Sequence, residues 1–250
     1  MAKTITVFNQ KGGVGKTTTV VNLALALSLL KKKVLVIDMD PQANATSGLG
    51  IEKNKEYMVY DFIMNPKEGE HIINRSKNLD IIPSGGDLAG IEMELALENS
   101  WQMKVRDALE PIKEKYDFIL IDCPPSLGIL SLMSLSASDS ILLPVQCEYY
   151  ALEGVSQLME TVELVKNNFN PKIVLEGVLL TMYDGRNNLS IQVVEEVKNV
   201  FKNKVLKTLI PRNVRLAEAP SFGQSIIEYD EKSKGALAYK ELAKEIIKRG

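Results

Sequence analysis

The chain of 250 residues has only two cysteines, one histidine and one tryptophan, and almost no net charge. Cys123 and Cys147 lack C-x-x-C spacing and are too few for a disulfide framework, so both read as small buried apolar residues rather than zinc ligands. His71, followed by Ile72 and Ile73, has no nearby ligand partner in the sequence and reads as a surface or internally satisfied histidine. No run of about 18 apolar residues is available to span a bilayer. The N-terminus runs into an apolar segment without a charged-then-apolar signal region, so a cytoplasmic location is expected. With 30 basic against 32 acidic residues the molecule is not a basic body, and any nucleic-acid contact must come from a local patch. Neither a tandem repeat nor a Pro/Gly-rich linker divides the chain, and 45% hydrophobic content suits one sizeable core, so a single domain over residues 1–250 is expected.

What is present is a phosphate-binding loop. Lys11, Gly12, Gly13, Val14, Gly15, Lys16, Thr17 and Thr18 follow the β-branched run Thr4 to Phe8 and precede a helical pattern. The strict G-x-x-x-x-G-K-[ST] motif fails, because Gln10 stands where its first glycine belongs, while Gly15-Lys16-Thr17 is intact. Gly12, Gly13 and Gly15 can still take backbone angles that point several N–H groups inward. The helix that follows presents its positive end to an anion. Lys16 is expected on the β- and γ-phosphates of a nucleotide, and the Thr17 hydroxyl on Mg²⁺.

Apolar runs alternate with helical stretches: Ile5 to Phe8, Val34 to Asp38, Leu79 to Pro83, Phe118 to Asp122, Ile141 to Val145, Ile173 to Thr181 and Val205 to Ile210. Such alternation predicts an α/β fold, a single-domain P-loop NTPase whose mostly parallel sheet carries helices on both faces. The helix after the loop should bury Val20, Val21, Leu23, Ala24, Leu27 and Leu30. Lys31, Lys32 and Lys33 meet its last turn, where cations are ordinary dipole partners as well as a conceivable nucleic-acid patch. Ligands in open sheets bind beyond the carboxyl ends of strands, and the loop, Asp38 to Asp40, and Asp122-Cys123-Pro124 all follow strand ends. Asp122 has the layout of a Walker B aspartate, expected to hold Mg²⁺ through a water. Asp38 reads equally as a holder of metal-bound water and as a strand terminator.

The lysine-first loop K-G-G-x-G-K-[ST]-T resembles the deviant Walker A loop of the ParA/MinD ATPases. Val36 to Thr46, Ile121 to Ser126, Pro144 to Tyr150 and Ile210 to Arg215 extend the resemblance to the chromosomal ParA subgroup, often called Soj, over nearly the whole chain. The resemblance implies a catalytic set of Lys11, Lys16 and Asp40, with Lys11 reaching the phosphates of a partner's ATP across a two-fold axis and Asp40 orienting the attacking water. By its residue type alone, Asp40 could instead be a helix cap or turn residue. The resemblance also implies adenine held by Pro211 and Asn213, whose amide offers a donor and an acceptor. It further implies a homodimer formed on ATP binding, non-specific double-stranded DNA bound through Arg186 and Arg215, stimulation by a ParB-type protein, nucleoid association and an effect on a replication initiator. Lys202, Lys204, Lys207, Lys232 and Lys234 are interspersed with acids and read equally as a solvated face. Larger plasmid-type relatives carry an N-terminal DNA-binding extension, for which a loop starting at Lys11 leaves no room.

The main alternative is a MinD-like ATPase on a membrane that positions a division machinery. It needs an amphipathic C-terminal helix, and Ala236 to Lys248 sets Tyr239, Leu242 and Ile246 on one face, Lys240, Lys244 and Lys248 opposite, and Leu237 among the lysines. Such a helix more often packs on its own domain, and a membrane partner is not expected. Two remoter readings are a nitrogenase-iron-protein-like cluster carrier, whose cysteine positions are not matched, and a dethiobiotin-synthetase-like ligase, against which the extra Lys11 argues.

Overall fold

The computed structural model describes residues 2–52, 57–66, 71–148 and 151–249, with the side chains of 151–158 excepted. Tyr149 and Tyr150 of the resembling segment lie outside the described residues. Eight strands, β1 (Lys3–Val7), β2 (Val34–Asp38), β3 (Ile73–Ser76), β4 (Leu79–Ile82), β5 (Phe118–Asp122), β6 (Ser140–Gln146), β7 (Val174–Tyr183) and β8 (Val205–Pro211), form one sheet in the order β3-β4-β2-β5-β1-β6-β7-β8. Every described pairing is parallel except β3 with β4. The seven expected strands are all there, with ends shifted by one or two residues, and the P-loop α/β class with helices on both faces is correct. The eighth, β3, went unforeseen because Ile73-Asn74-Arg75-Ser76 is too polar to form an apolar run: it is a half-exposed edge that needs only one partner.

Period-two geometry explains how continuous apolar strands serve two cores. On β2, Val34 and Val36 face one side with the Lys16–Leu29 helix, while Leu35 and Ile37 face the other with the Val59–Met64 and Ile129–Ser136 helices. The first helix is buried on nearly every side, including Leu25 and Ala26. Leu30 is a correction: it caps the helix and is 40% exposed rather than buried. The lysines that follow are also placed differently, since the helix ends at Leu29 and Lys31 turns the chain at φ 63. His71 is 2% exposed, edge-on to Tyr57 and Phe62. Both cysteines are free and buried.

The helix Lys234–Arg249 covers edge strand β8, burying Tyr239, Leu242, Ala243 and Ile246 against the first helix and the strand. Glu245 accepts hydrogen bonds from the Lys207 and Thr208 amides (2.8 and 3.0 Å), satisfying β8 donors that an open edge would expose. The apolar face that a membrane-bound reading requires is therefore consumed by the fold, and Leu237 stands exposed among the lysines. Among the described residues no helix is long and apolar enough to cross a membrane.

Candidate functional site

β1 lies between β5 and β6, where successive connections leave in opposite directions along the sheet, and the loop 8–15 leaves its carboxyl end. Asn9, which sequence reasoning missed, ties the start of this loop down: its Nδ2 donates to the Pro144 carbonyl (2.7 Å) and its Oδ1 accepts the Lys11 amide (2.9 Å). Gln10, in the place of the expected glycine, donates to Thr161 Oγ1 (3.2 Å), so the side chain anchors the loop to a neighbouring helix. The middle is held by Thr181, at the end of β7, whose hydroxyl donates to the Val14 carbonyl (2.8 Å). Gly13 (φ 74) and Gly15 (φ 93) occupy the left-handed region, Gly15 as the N-cap of the first helix. No side chain caps that helix, leaving its terminal N–H groups for an anion.

Lys16 is nearly buried, and its Nζ donates to the Lys11 carbonyl (3.1 Å). Burial lowers its pKa, against which Asp122 and then Cys123 and Asp40 pull upward. Lys11 is exposed, and its amine makes no hydrogen bond or ion pair among the described residues.

Behind the loop stand three carboxylates. Asp38 and Asp122 are register partners at the ends of β2 and β5. Asp38 is fully engaged: one oxygen accepts Thr46 Oγ1 (2.7 Å) and the Thr46 amide (2.8 Å), the other the Asp40 amide (3.1 Å). Burial nonetheless raises its pKa to about 6. These bonds fold the loop 39–45 that carries Asp40. Asp40 is not a helix cap: its Oδ1 accepts the Gln42 amide (2.9 Å), a turn contact, while Ala43 is the N-cap of the Asn44–Gly48 helix.

Asp122 is the opposite case. Both its carboxylate oxygens are buried with no hydrogen-bond partner among the described residues. Burial and then Asp38 push its pKa well above the carboxylate range; the Thr17 hydroxyl, close by but outside hydrogen-bond geometry, acts the other way, as Lys16 does. A buried carboxylate with two orphan oxygens beside a half-buried threonine hydroxyl suits a hard cation that prefers oxygen ligands.

A cavity of about 350 Å³ adjoins the loop, lined by Gly15, Thr18, Met182, Pro211, Asn213 and Tyr239 among others. Pro211 and Asn213 are thus brought together with the phosphate loop as expected, and Thr18 as well. Asn213 has less to offer than its residue type suggests. Its Oδ1 caps the Val214–Glu218 helix by accepting the Arg215 amide (2.9 Å), so one of that oxygen's two lone pairs is already committed. Met182 and Tyr239 were not foreseen; each comes from an element whose local sequence carries no nucleotide signal.

Arg186 and Arg215 follow the carboxyl ends of β7 and β8, on the same end of the sheet as the phosphate loop. Each guanidinium is exposed but engaged: Arg186 grips Asp184 in a bidentate pair (3.0 and 2.8 Å), and Arg215 meets Glu218 (2.9 Å) and lies 5.9 Å over the Tyr229 ring. Lys202 and Lys204 belong to the other end, before β8 starts, and do not extend that patch.

A family model described as an AAA domain matches residues 2–175. The sporulation initiation inhibitor protein Soj of Bacillus subtilis (strain 168) is 56% identical over the full length of both chains. The chromosome partitioning protein ParA of Myxococcus xanthus (strain DK1622) is 49% identical, covering 100% of this chain and 89% of that one. A crystal structure of cobyrinic acid a,c-diamide synthase from Mycobacterium smegmatis with bound ADP and magnesium superposes with a TM-score of 0.87 at 34% identity, covering 99% of this chain and 95% of that one. With the lysine-first loop and the aspartates that follow β2 and β5, these likenesses show that the chain belongs to the ParA/MinD family of deviant Walker A ATPases, in its chromosomal ParA (Soj) subgroup.

Proposed function

We propose that this chain is a chromosome-partitioning ATPase that works as a switch on DNA. ATP occupies the loop Lys11 to Thr18 with its base in the cavity beside Pro211 and Asn213, and Lys16 neutralises the β- and γ-phosphates. Thr17 and Asp122 would hold Mg²⁺, which when bound supplies charge neutralisation on the phosphates. Asp40, carried on the loop that Asp38 folds, orients the attacking water. Lys11, whose amine has no partner among the described residues, reaches to the ATP of a second protomer. Two such lysines facing each other across a two-fold axis repel unless nucleotide anions lie between them, so dimerisation follows ATP and ends with hydrolysis.

The dimer binds double-stranded DNA without sequence preference through paired Arg186 and Arg215 surfaces, since each phosphate neutralised adds a salt-dependent increment that one protomer alone does not accumulate. A ParB-type protein stimulates an otherwise slow hydrolysis and releases the dimer, in the cytoplasm and on the nucleoid, with a further effect on replication initiation. The chain acts as one domain over residues 1–250. The observation that supports this most is the orphaned Asp122 carboxylate directly behind a lysine-first phosphate loop, joined to the names of the two relatives.

The test uses Asp40→Ala protein with random-sequence duplex DNA and, in parallel, anionic liposomes, with and without Mg·ATP. ATP-dependent, salt-sensitive DNA binding that Arg186→Ala or Arg215→Ala abolishes supports the reading. Liposome binding without DNA binding overturns it in favour of a membrane-bound ATPase, and a monomer in saturating Mg·ATP by light scattering overturns the role of Asp40.

A further inference from the structure

The loop that carries Asp40 has no regular structure of its own to hold it. It runs into the Asn44–Gly48 helix, which is five residues long and has no side-chain cap. The cap residue, Ala43, sits at φ 54 and ψ 42, in the left-handed region that a residue with a Cβ seldom occupies. Its amide donates to the Asp40 carbonyl (2.8 Å), so Asp40 opens a tight, strained turn. Such a conformation persists only where its surroundings over-determine it.

Thr46, within that helix and fully buried, ties the turn to the sheet. Its hydroxyl donates to Asp38 Oδ2 (2.7 Å) and accepts the amide of Ser84 (2.9 Å), just past the end of β4. The Thr46 amide reaches the same carboxylate oxygen (2.8 Å), and the other oxygen, Oδ1, takes the Asp40 amide (3.1 Å). β4 and β2 are neighbours in the sheet, so one hydroxyl joins the exit of β4, through the Asp38 carboxylate, to the backbone of Asp40. Both bonds of that hydroxyl need an oxygen: valine has the shape of threonine but neither donor nor acceptor, whereas serine keeps both.

We propose that Thr46 is a positioning residue for hydrolysis. Through Asp38 it fixes the backbone of Asp40, and with it the direction of the carboxylate that orients the attacking water. This role presupposes the one proposed above for Asp40. Thr46 does not line the cavity beside the phosphate loop, so its contribution falls on turnover and not on nucleotide affinity.

The experiment measures single-turnover hydrolysis of Mg·ATP by the full chain in its native form and as Thr46→Val, Thr46→Ser, Asp40→Ala and the Thr46→Val/Asp40→Ala double variant. A fluorescent ATP analogue reports affinity, and thermal melting shows that each protein is folded. Thr46→Val should slow hydrolysis by about 10- to 100-fold, as a misplacement of roughly 1 Å does, with ATP affinity within about twofold of native. Thr46→Ser should recover most of the rate. In Asp40→Ala protein, Thr46→Val should change nothing further, because the residue it positions is gone, whereas a merely structural role would lower both backgrounds alike. Native-state hydrogen exchange needs no variant: the Asp40 and Ser84 amides should open together, with protection within about tenfold of each other. Where Thr46→Val does not fold, that exchange measurement decides. A Thr46→Val rate within about twofold of native, a matching fall in ATP affinity, or equal losses in both backgrounds overturns the proposal and leaves Asp40 its role. So does a Thr46→Ser protein as slow as Thr46→Val, or an Asp40 amide that exchanges far faster than that of Ser84. Native protein that hydrolyses ATP no faster than Asp40→Ala overturns the reading of Asp40 itself, and the role of Thr46 falls with it.

Discussion

Asp38 and Asp122 face each other across neighbouring strands as register partners, yet one carboxylate is saturated with hydrogen bonds and the other has none among the described residues. Two buried acids side by side cannot both ionise cheaply, and both are driven toward the protonated form. A carboxyl whose pKa is higher in the fold than in the unfolded chain stabilises fully below its unfolded value. That contribution is lost as pH rises through the folded value, here about 6 for Asp38. Nucleotide-free protein should therefore lose stability from this pair between about pH 4 and pH 7. Asp122→Asn removes one of the two charges, so its melting temperature should exceed that of the native chain by more at pH 8 than at pH 5, as thermal scans at both values would reveal. The same variant should lose the magnesium-dependent part of any stabilisation by ATP.

Lys16→Ala is expected to weaken ATP binding by about 100-fold, the loss of roughly 3 kcal/mol from charge-assisted contacts to phosphate. Titration with a fluorescent ATP analogue measures this directly. An unchanged affinity would remove Lys16 from the phosphate site.

Gly223 and Gly50 pack backbone to backbone, and a Cβ on Gly223 would come within 2.8 Å of the Gly50 Cα. Gly223 also sits at φ 62. Gly223→Ala should cost about 1–3 kcal/mol, combining strain in the left-handed region with a clash against main chain. Urea denaturation with an unchanged slope and a lower midpoint is the expected signature.

Leu242 and Leu237 lie on one helix five residues apart, the first fully buried and the second 54% exposed. Leu242→Ala should destabilise by about 2–5 kcal/mol, whereas Leu237→Ala should stay within about 0.5 kcal/mol. A liposome-binding role for the helix would reverse the order of their functional effects, because membrane anchoring would depend on the exposed residue.

The phosphate loop, its strand and its helix were legible because glycine positions, a lysine and a threonine at fixed spacing encode backbone angles and charge locally. The same holds for the parallel sheet, whose strands announce themselves as continuous apolar runs, and for Asp122 at the end of one of them. What the local sequence could not decide is how a polar side chain spends its bonds. Asn213 has the donor and acceptor of any asparagine, but the helix starting at Val214 takes up one lone pair of its acceptor. Asp38 and Asp122 close similar strands, yet only the return of Thr46 satisfies one and leaves the other bare. Thr181, Asn9 and Tyr239 come to the loop or the cavity from separate parts of the chain, and β3 exists only because β4 offers it a partner. Sequence alone determined the backbone chemistry of the loop and the alternation of elements, since both depend on neighbours in the chain. The tertiary structure decided which carboxylate is free, which arginines are engaged and which helix face is buried, because hydrogen bonds and burial depend on neighbours in space.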